Sequence, residues 1–507
     1  MIGSGDEGVL FNRVEREINK KWDIYSQLAR NGCVRNPLDD YIVVTYPPRT
    51  SVDNLLPDQR KKYSEEITRT IREADESVKI AGYIHFPFCS RRCTFCHYYS
   101  NGNSSREYIR TYVGTLRKEI QILGKNVSPK ELSSLFIGGG TPSLMTPLDL
   151  HEIIDEITHY FTLSPHAEVT MDLHPELVRE TPERYLREVK DAGITRVNVG
   201  LQSADQKILD ASNRGHTVEE AVNLHEICKK IGFTTNIDIV WGGLPTDNIR
   251  SFLKSLELAF SQNPDTVTTY HMWLKPQTPE FQRYTESPFM YPNWIEALKE
   301  RVLSYVIAEE YGYIQEYLDW FRRINDGRGY QQQKDKWGTN KTILISFGPG
   351  TYAWSFTTSD NNFMYWHPFS MQEYQKLVDD HQLPIERCYC LNNNESSRRH
   401  IIFRLKSGEI PKDVLKNLLA SAPDIRLDIM TKMKRLVDLR LVEDTGTAFK
   451  LTDVGSWIGD EVASVFTSPD ILMKMESRNQ PEEKKYEWYV APNMIAKMQK
   501  LVGDKCV

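Results

Sequence analysis

Three cysteines fall within eight residues: Cys89, Cys93 and Cys96, spaced C-x3-C-x2-C. They directly follow an apolar, strand-like run, Gly82-Tyr-Ile-His-Phe-Pro-Phe88. Three thiolates on one short loop can hold three irons of a cubane 4Fe–4S cluster. Full cysteine ligation takes four, so one iron is left open to a small chelating ligand. The competing reading is zinc. A structural zinc site takes four ligands, usually as pairs at C-x2-C or histidine spacing, and the extra candidate beside this loop is His97.

Other groups with chemical potential sit where apolar runs end. Ile137-Gly-Gly-Gly-Thr-Pro-Ser143 places Gly139, Gly140 and Thr141 at such an end. Consecutive glycines let backbone approach a ligand closely; a tight strand–helix turn is the plainer reading. Asp172, in Glu168-Val-Thr-Met-Asp172-Leu-His-Pro175, is an acid that can hold a ribose diol, because a buried carboxylate needs donors. It reads equally as a polar strand end satisfied within the protein. Gln202 ends the fourth run, Arg214 follows in Asn213-Arg-Gly-His216, and Asp238 lies in Asn236-Ile-Asp-Ile-Val-Trp-Gly-Gly-Leu-Pro245. An amide, a guanidinium and a carboxylate make a clamp for a zwitterionic amino acid; Arg214 alone reads as a surface charge. His97-Tyr98-Tyr99 and Tyr270-His271-Met272-Trp273 supply candidates for proton movement near neutral pH and aromatic faces for a flat or cationic ligand. Core packing accounts for these side chains as well.

These groups need elements to position them. Apolar, β-rich runs at 82–88, 134–138, 167–173, 196–202, 235–241 and 266–273 alternate with helical patterns at 107–123, 148–160, 182–192, 218–231 and 248–260. Such alternation predicts a parallel sheet with crossover helices. Six units are too few for a closed eight-stranded barrel, so a partial (β/α)6 barrel is expected, with functional groups at the carboxyl ends of its strands. Residues 1–80 read as a mostly helical extension, with an amphipathic stretch at 11–28, an extended segment at 41–48 and a charged helix at 59–77. Residues 81–380 read as the barrel and its continuation, including a long helix at 294–310 and the glycine-bearing Ser346-Phe-Gly-Pro-Gly-Thr-Tyr352. Residues 381–468 read as a small winged-helix-like domain, and 469–507 as a charged tail without pattern.

The 507 residues carry 63 basic and 69 acidic side chains, a net charge of −6, which argues against a general nucleic-acid binder. The 395–465 region holds 12 basic and 11 acidic residues, which weakens a DNA-binding reading of its winged-helix pattern. Eight clustered cysteines do not make a disulfide scaffold. No signal peptide and no membrane-spanning run is read, so a cytoplasmic protein without membrane partners is expected.

Taken together, the motifs from Tyr83 to Tyr352 resemble the HemN-like branch of the radical S-adenosylmethionine (SAM) superfamily, with a looser match through 395–465. That branch includes oxygen-independent coproporphyrinogen oxidase, a related heme chaperone, an anaerobic heme-degrading methyltransferase, and class C methyltransferases and cyclopropanases. The resemblance implies an α/β fold, a partial TIM barrel with a C-terminal helical domain, and a cluster on Cys89, Cys93 and Cys96. It further implies two SAM molecules. One would touch Tyr83, Gly139, Asp172 and Tyr352; the other Phe95, Gly140, Thr141, Gln202, Arg214, Asp238 and Trp273. A reductant such as flavodoxin or ferredoxin would supply electrons.

Several positions depart from the coproporphyrinogen oxidase pattern. Tyr98 stands where that enzyme carries a fourth cysteine, Asp172 replaces a glutamate, the Trp241-Gly-Gly243 turn has an extra glycine, and Trp273 replaces a small residue. These departures shift the expected activity toward transfer of a methyl or methylene carbon to an sp2 carbon of a complex small molecule, as C-methylation or cyclopropanation. A partner methyltransferase is a candidate for ring closure, and His97, Tyr98 and His271 are the candidate acid/base groups. A porphyrinogen decarboxylase and a heme chaperone are the alternatives.

Overall fold

The computed structural model describes residues 4–34, 45–102, 104–127, 129–276, 278–338, 341–357, 362–477 and 492–503. Six strands form the centre: β1 (Lys79–Phe86), β2 (Lys130–Gly139), β3 (Phe161–Leu173), β4 (Arg196–Gln202), β5 (Thr234–Trp241) and β6 (Thr266–His271). Each pairs in parallel with the next. The helices Arg106–Val127, Pro147–Tyr160, Pro182–Asp191, Val218–Ile231 and Ile249–Ser261 cross between them. Their limits follow local chemistry. Thr217 and Glu220 form a reciprocal cap at the start of Val218–Ile231, and Gly232 closes it with φ of 90°. Pro147 and Pro182 stand in first turns, where a missing N–H costs nothing.

The sheet is twice as wide as the six units expected. β7 (Tyr313–Tyr317) and β8 (Trp320–Arg323) add antiparallel beyond β6. On the other side β9 (Thr342–Phe347) pairs in parallel with β1, and β10 (Tyr352–Phe356), β11 (Asn362–Trp366) and β12 (Arg387–Leu391) follow antiparallel. The twelve strands run in the order 12-11-10-9-1-2-3-4-5-6-8-7. β12 lies past residue 380, so the large sheet reaches into the region read as the C-terminal domain.

Side chains alternate along each strand. Ile84, Ile137, Met171, Val199, Ile237 and Ile239 pack against the helices in the main core. Tyr83, Phe136, Asp172, Asn198, Asp238 and Tyr270 belong to the other face, where they meet one another.

The helix Asn393–Lys406 leads to a small sheet in the order β13 (Glu409–Pro411), β15 (Ala448–Leu451), β14 (Val442–Asp444), with helices Lys412–Ser421 and Arg426–Asp438. The winged-helix-like pattern is therefore present as a fold. The N-terminal helices Ser4–Asn19 and Trp22–Arg30 and the helix Pro57–Glu73 are also present. Trp22 stacks on Trp294 at 6.1 Å, Trp294 lies 6.4 Å from Trp457, and Tyr25 meets Trp457 edge-on at 5.4 Å. One aromatic seam thus joins the amino-terminal helices, the helix Trp294–Glu310 and the C-terminal domain. Of the extended segment read at 41–48, residues 41–44 lie outside the described residues; Tyr46 is buried, its hydroxyl donating to Glu395 at 2.6 Å.

The tail is not without pattern. It contributes helices Pro469–Ser477 and Pro492–Gly503, and Met494, Ile495, Met498, Leu501 and Val502 are buried. Among the described residues no helix is long and apolar enough to cross a membrane.

Candidate active site at the carboxyl ends of the parallel strands

The cysteine loop leaves β1 and is tied down from several sides. Cys96 N–H donates to the Cys93 carbonyl at 3.2 Å, and Thr94 N–H to the Ser212 carbonyl at 3.1 Å. Asn213 Nδ2 donates to the Arg92 carbonyl at 2.8 Å. Thr94 Oγ1 donates to Glu280 Oε2 at 2.5 Å, and Glu280 N–H returns to the Thr94 carbonyl at 3.2 Å. Phe95 packs into a small apolar cluster with Ile208, Val240, Leu244, Met272 and Leu274, so this ring anchors the loop.

The three thiols meet the chemistry of a cluster. Burial raises Cys96 to about 12, with the charges of Cys93 and Cys89 adding to it. Burial likewise raises Cys89, opposed by a side-chain hydrogen bond with Thr141. Thiols this close and this desolvated ionise when bound metal supplies positive charge. Arg214 Nη1 lies 3.3 Å from Cys93 Sγ, so a cation already faces the set. Among the described residues no three His, Cys, Asp or Glu side chains converge as around a single ion. Three thiols on one loop are the donor set that a cubane takes, one thiolate to each of three irons. The residues present fit the cluster.

Next to the loop, the glycine run at the end of β2 is drawn against β1. Gly140 N–H donates to the Phe86 carbonyl and Thr141 N–H to the Phe88 carbonyl, both at 2.7 Å. A Cβ on Gly140 would sit 2.4 Å from the Phe88 carbonyl oxygen, and Gly139 has φ of 109°, so neither position admits a side chain.

The interior face below is polar and mutually bonded. The pairing of Asp172 with Asn198, and of Asn198 with Asn236, lines up one row across β3, β4 and β5. Asn198 Nδ2 donates to Asp172 at 2.8 Å, Asn236 Nδ2 to Asp238 at 2.6 Å, and the Tyr270 hydroxyl to Asp238 at 3.3 Å. Tyr330 donates to Asn198 and stacks with Phe136 at 6.5 Å, while Phe136 stacks with Tyr83 at 5.9 Å. Burial lifts Asp172 to about 7, helped by the charge of Asp238. Burial also lifts Asp238 to about 6, against the donors around it. Two carboxyls with raised proton affinity on one interior face are a recurring mark of functional sites.

The proposed clamp is assembled in part. Arg214 Nη2 donates to the Gly200 carbonyl at 3.0 Å, and its charge acts on Asp238. Gln202 and Asn213 hold left-handed backbone, with φ of 67° and 54°, at a bulge in β4 and just before Arg214. Non-glycine residues held there concentrate at functional sites. Tyr352 is half-buried and packs in the cluster that also holds Tyr83.

The acid/base candidates separate. Tyr98 is 46% exposed, stacks with His97 at 5.0 Å, and its charge acts on Tyr270. His97 is driven down to about 3 by burial and by the positive charges of Lys275 and Arg92. It therefore stays neutral through physiological pH instead of titrating there. His271 turns the other way. Its ring packs with Trp241 at 4.5 Å and Trp273 at 5.5 Å, against Gly242. Strand parity explains this, because Tyr270 takes the interior position and the next residue must face the helices. His271 and Trp273 thus belong to a buried aromatic group, and Tyr270 is the interior residue at the end of β6. Sequence reasoning also missed Tyr330, Asn198, Asn236, Lys275 and Glu280.

A family model described as the radical SAM superfamily matches residues 83–259. The heme chaperone HemW of Buchnera aphidicola subsp. Schizaphis graminum is 32% identical over 213 residues, covering 41% of this chain and 54% of that protein. The chain thus spans about half the length of the HemW relatives it matches. The oxygen-independent coproporphyrinogen III oxidase of Helicobacter pylori is 23% identical over 432 residues, covering 80% of this chain and 90% of that protein. The solved coproporphyrinogen III oxidase HemN of Escherichia coli superposes with a TM-score of 0.67 at 20% identity, covering 79% of this chain and 93% of that one. With its cysteine loop, glycine run and partial barrel, the chain carries a segment that matches the radical SAM superfamily and is similar to the coproporphyrinogen oxidases and HemW proteins.

Proposed function

We propose that this protein is a radical SAM enzyme that takes a hydrogen atom from a carboxylate-bearing, tetrapyrrole-like substrate, in the manner named for its oxidase relatives. The observation that carries this reading is length. Two coproporphyrinogen oxidases match along about four fifths of the chain and a third along 53%, whereas the chaperones match along two fifths. A cluster on Cys89, Cys93 and Cys96, when bound, supplies the electron that cleaves SAM to a 5′-deoxyadenosyl radical. The chain's own part is positioning. The Gly139 backbone, Tyr83 and Tyr352 border the SAM site, and Asp172 accepts its ribose hydroxyls. Arg214 holds Cys93 and offers charge to a carboxylate. Fixing reacting groups in contact supplies a large share of a barrier.

One observation favours a second reading. Tyr98 stands two residues after Cys96, where the resemblance gives the oxidases a fourth cysteine, and it is exposed and stacked on His97. That supports one-carbon transfer with a second SAM near Gln202, Arg214 and Asp238. The reconstituted protein, given coproporphyrinogen III and methyl-deuterated SAM under reducing conditions, separates the readings. Carbon dioxide release with unlabelled 5′-deoxyadenosine supports the first. Deuterium in 5′-deoxyadenosine and in the product selects the second. Stoichiometric heme binding with no 5′-deoxyadenosine would overturn both in favour of a carrier.

A further inference from the structure

Several buried cations in this fold are paired with carboxylates. Arg196 meets Glu168 at 2.7 Å, Arg301 meets Asp319 at 3.2 Å, Arg49 meets Glu386 at 2.5 Å, and Lys406 meets Asp460 at 3.0 Å. Arg399 breaks that pattern. It lies on the helix Asn393–Lys406, is 1% exposed, and makes one hydrogen bond, from Nη1 to the Ser355 carbonyl at 2.7 Å. Its guanidinium lies over Trp354 at 4.2 Å. Nε and Nη2 meet no acceptor among the described residues. Those two nitrogens form the side edge of the guanidinium, the edge that takes one carboxylate or phosphate in a bidentate grip.

The cavity Arg399 lines, between this helix and β10, has two further cations, Lys336 and Arg404, in its lining, while burial and the charges of Arg404 and Arg399 push His400 down to about 3 and keep it neutral. Among the described residues none of the cavity's lining side chains is acidic. His400 Nε2 and the indole N–H of Trp354 also meet no partner among the described residues. The His400 ring is held against Phe356 at 4.1 Å, which fixes where it points. Burial alone pushes Arg399 down to about 9, with no carboxylate opposing the shift. Unpaired buried donors and charge are costly, and one oxyanion on the side edge of Arg399 would satisfy both of its unpaired nitrogens.

We propose that the cavity between the helix Asn393–Lys406 and β10 binds an oxyanion, carboxylate or phosphate, through the side edge of Arg399 with His400 beside it. The carboxylate of a substrate arm and free phosphate share this chemistry. β10 carries Tyr352 at the end that borders the proposed SAM site and Phe356 at the other, paired with Thr342 at the amino end of β9, so the cavity lies across the sheet's length from that site.

Thermal unfolding of the full chain in sodium phosphate against sodium chloride of equal ionic strength tests the site, with Arg399→Lys as the variant. Lysine keeps the charge and loses the fork. The wild type should show a saturable rise of its midpoint with phosphate, and Arg399→Lys should lose most of that rise. His400→Phe, which preserves the stack on Phe356, serves the same purpose should Arg399→Lys fail to fold. Titration with coproporphyrin III separates the sources. A fall in affinity of about tenfold in the variant assigns the site to a substrate carboxylate; unchanged porphyrin affinity with a lost phosphate response assigns it to free phosphate. The proposal is overturned when the wild type shows no saturable phosphate response, or when both variants retain it.

Discussion

Asp172 shows how much one carboxyl in the interior governs. Its folded proton affinity is raised from 3.8 to about 7 by burial and by Asp238. The protonated form is thus favoured in the folded state. Its stabilising contribution is complete below about pH 4 and is lost as pH rises through 7. The cluster-free wild type should therefore lose stability to urea between about pH 5 and pH 8. Asp172→Asn should flatten that slope and gain on the order of 2–4 kcal/mol at the alkaline end; an unchanged slope would show that another group is responsible. The cysteines were legible because their spacing has few other uses. Asp172 and Asp238 were legible as strand ends. Alternation along β6 puts Thr268 and Tyr270 on the interior face with Asn236 and Asp238, and His271 on the face toward Trp241. Lys275 and Glu280 left no signal, because an isolated charge in a proline-containing loop reads as solvated until its burial is seen.

At the scale of elements, the cysteine loop depends on a short helix distant in sequence. Pro279–Glu286 brings Glu280 under the loop, where it accepts from Thr94, Arg283 and Tyr291 and is fully buried. Glu280→Ala removes the acceptor of the Thr94 and Tyr291 hydroxyls, about 1–3 kcal/mol for each buried donor left unsatisfied, while Arg283 keeps the Ala211 carbonyl. The variant should be cut near residues 89–96 by a nonspecific protease far faster than wild type, and should retain less iron after anaerobic reconstitution and desalting. Equal protease resistance would show that the loop stands without this support. The central βα units were legible because strands buried on both faces read as continuous apolar runs. The outer strands were not. Thr342–Phe347 is as apolar as the others, but its partner β1 lies far back in the chain, and its following glycines drew attention instead. Short antiparallel edges such as β7 and β8 carry too few residues to show a period.

The whole molecule closes its two ends onto one another. The helix Pro492–Gly503 buries Met494, Ile495, Met498, Leu501 and Val502, each worth roughly 1.5–3 kcal/mol when fully buried. Truncation after residue 491 should lower the thermal midpoint by several degrees and expose surface that binds a hydrophobic dye; a midpoint equal to wild type would mean that the helix is dispensable. Its apolar pattern is hard to see in the sequence because the charged stretch before it dominates the composition of the tail. The seam of Trp22, Trp294 and Trp457 has an optical consequence. Three indoles from three segments lie within 6.1 and 6.4 Å of their neighbours, close enough for their transitions to couple. Their near-ultraviolet circular dichroism is therefore a built-in gauge of whether the amino-terminal helices, the barrel's last long helix and the C-terminal domain are docked. Trp22→Phe should remove much of that signal while leaving the far-ultraviolet spectrum intact, and the wild-type signal can then follow undocking without any added label.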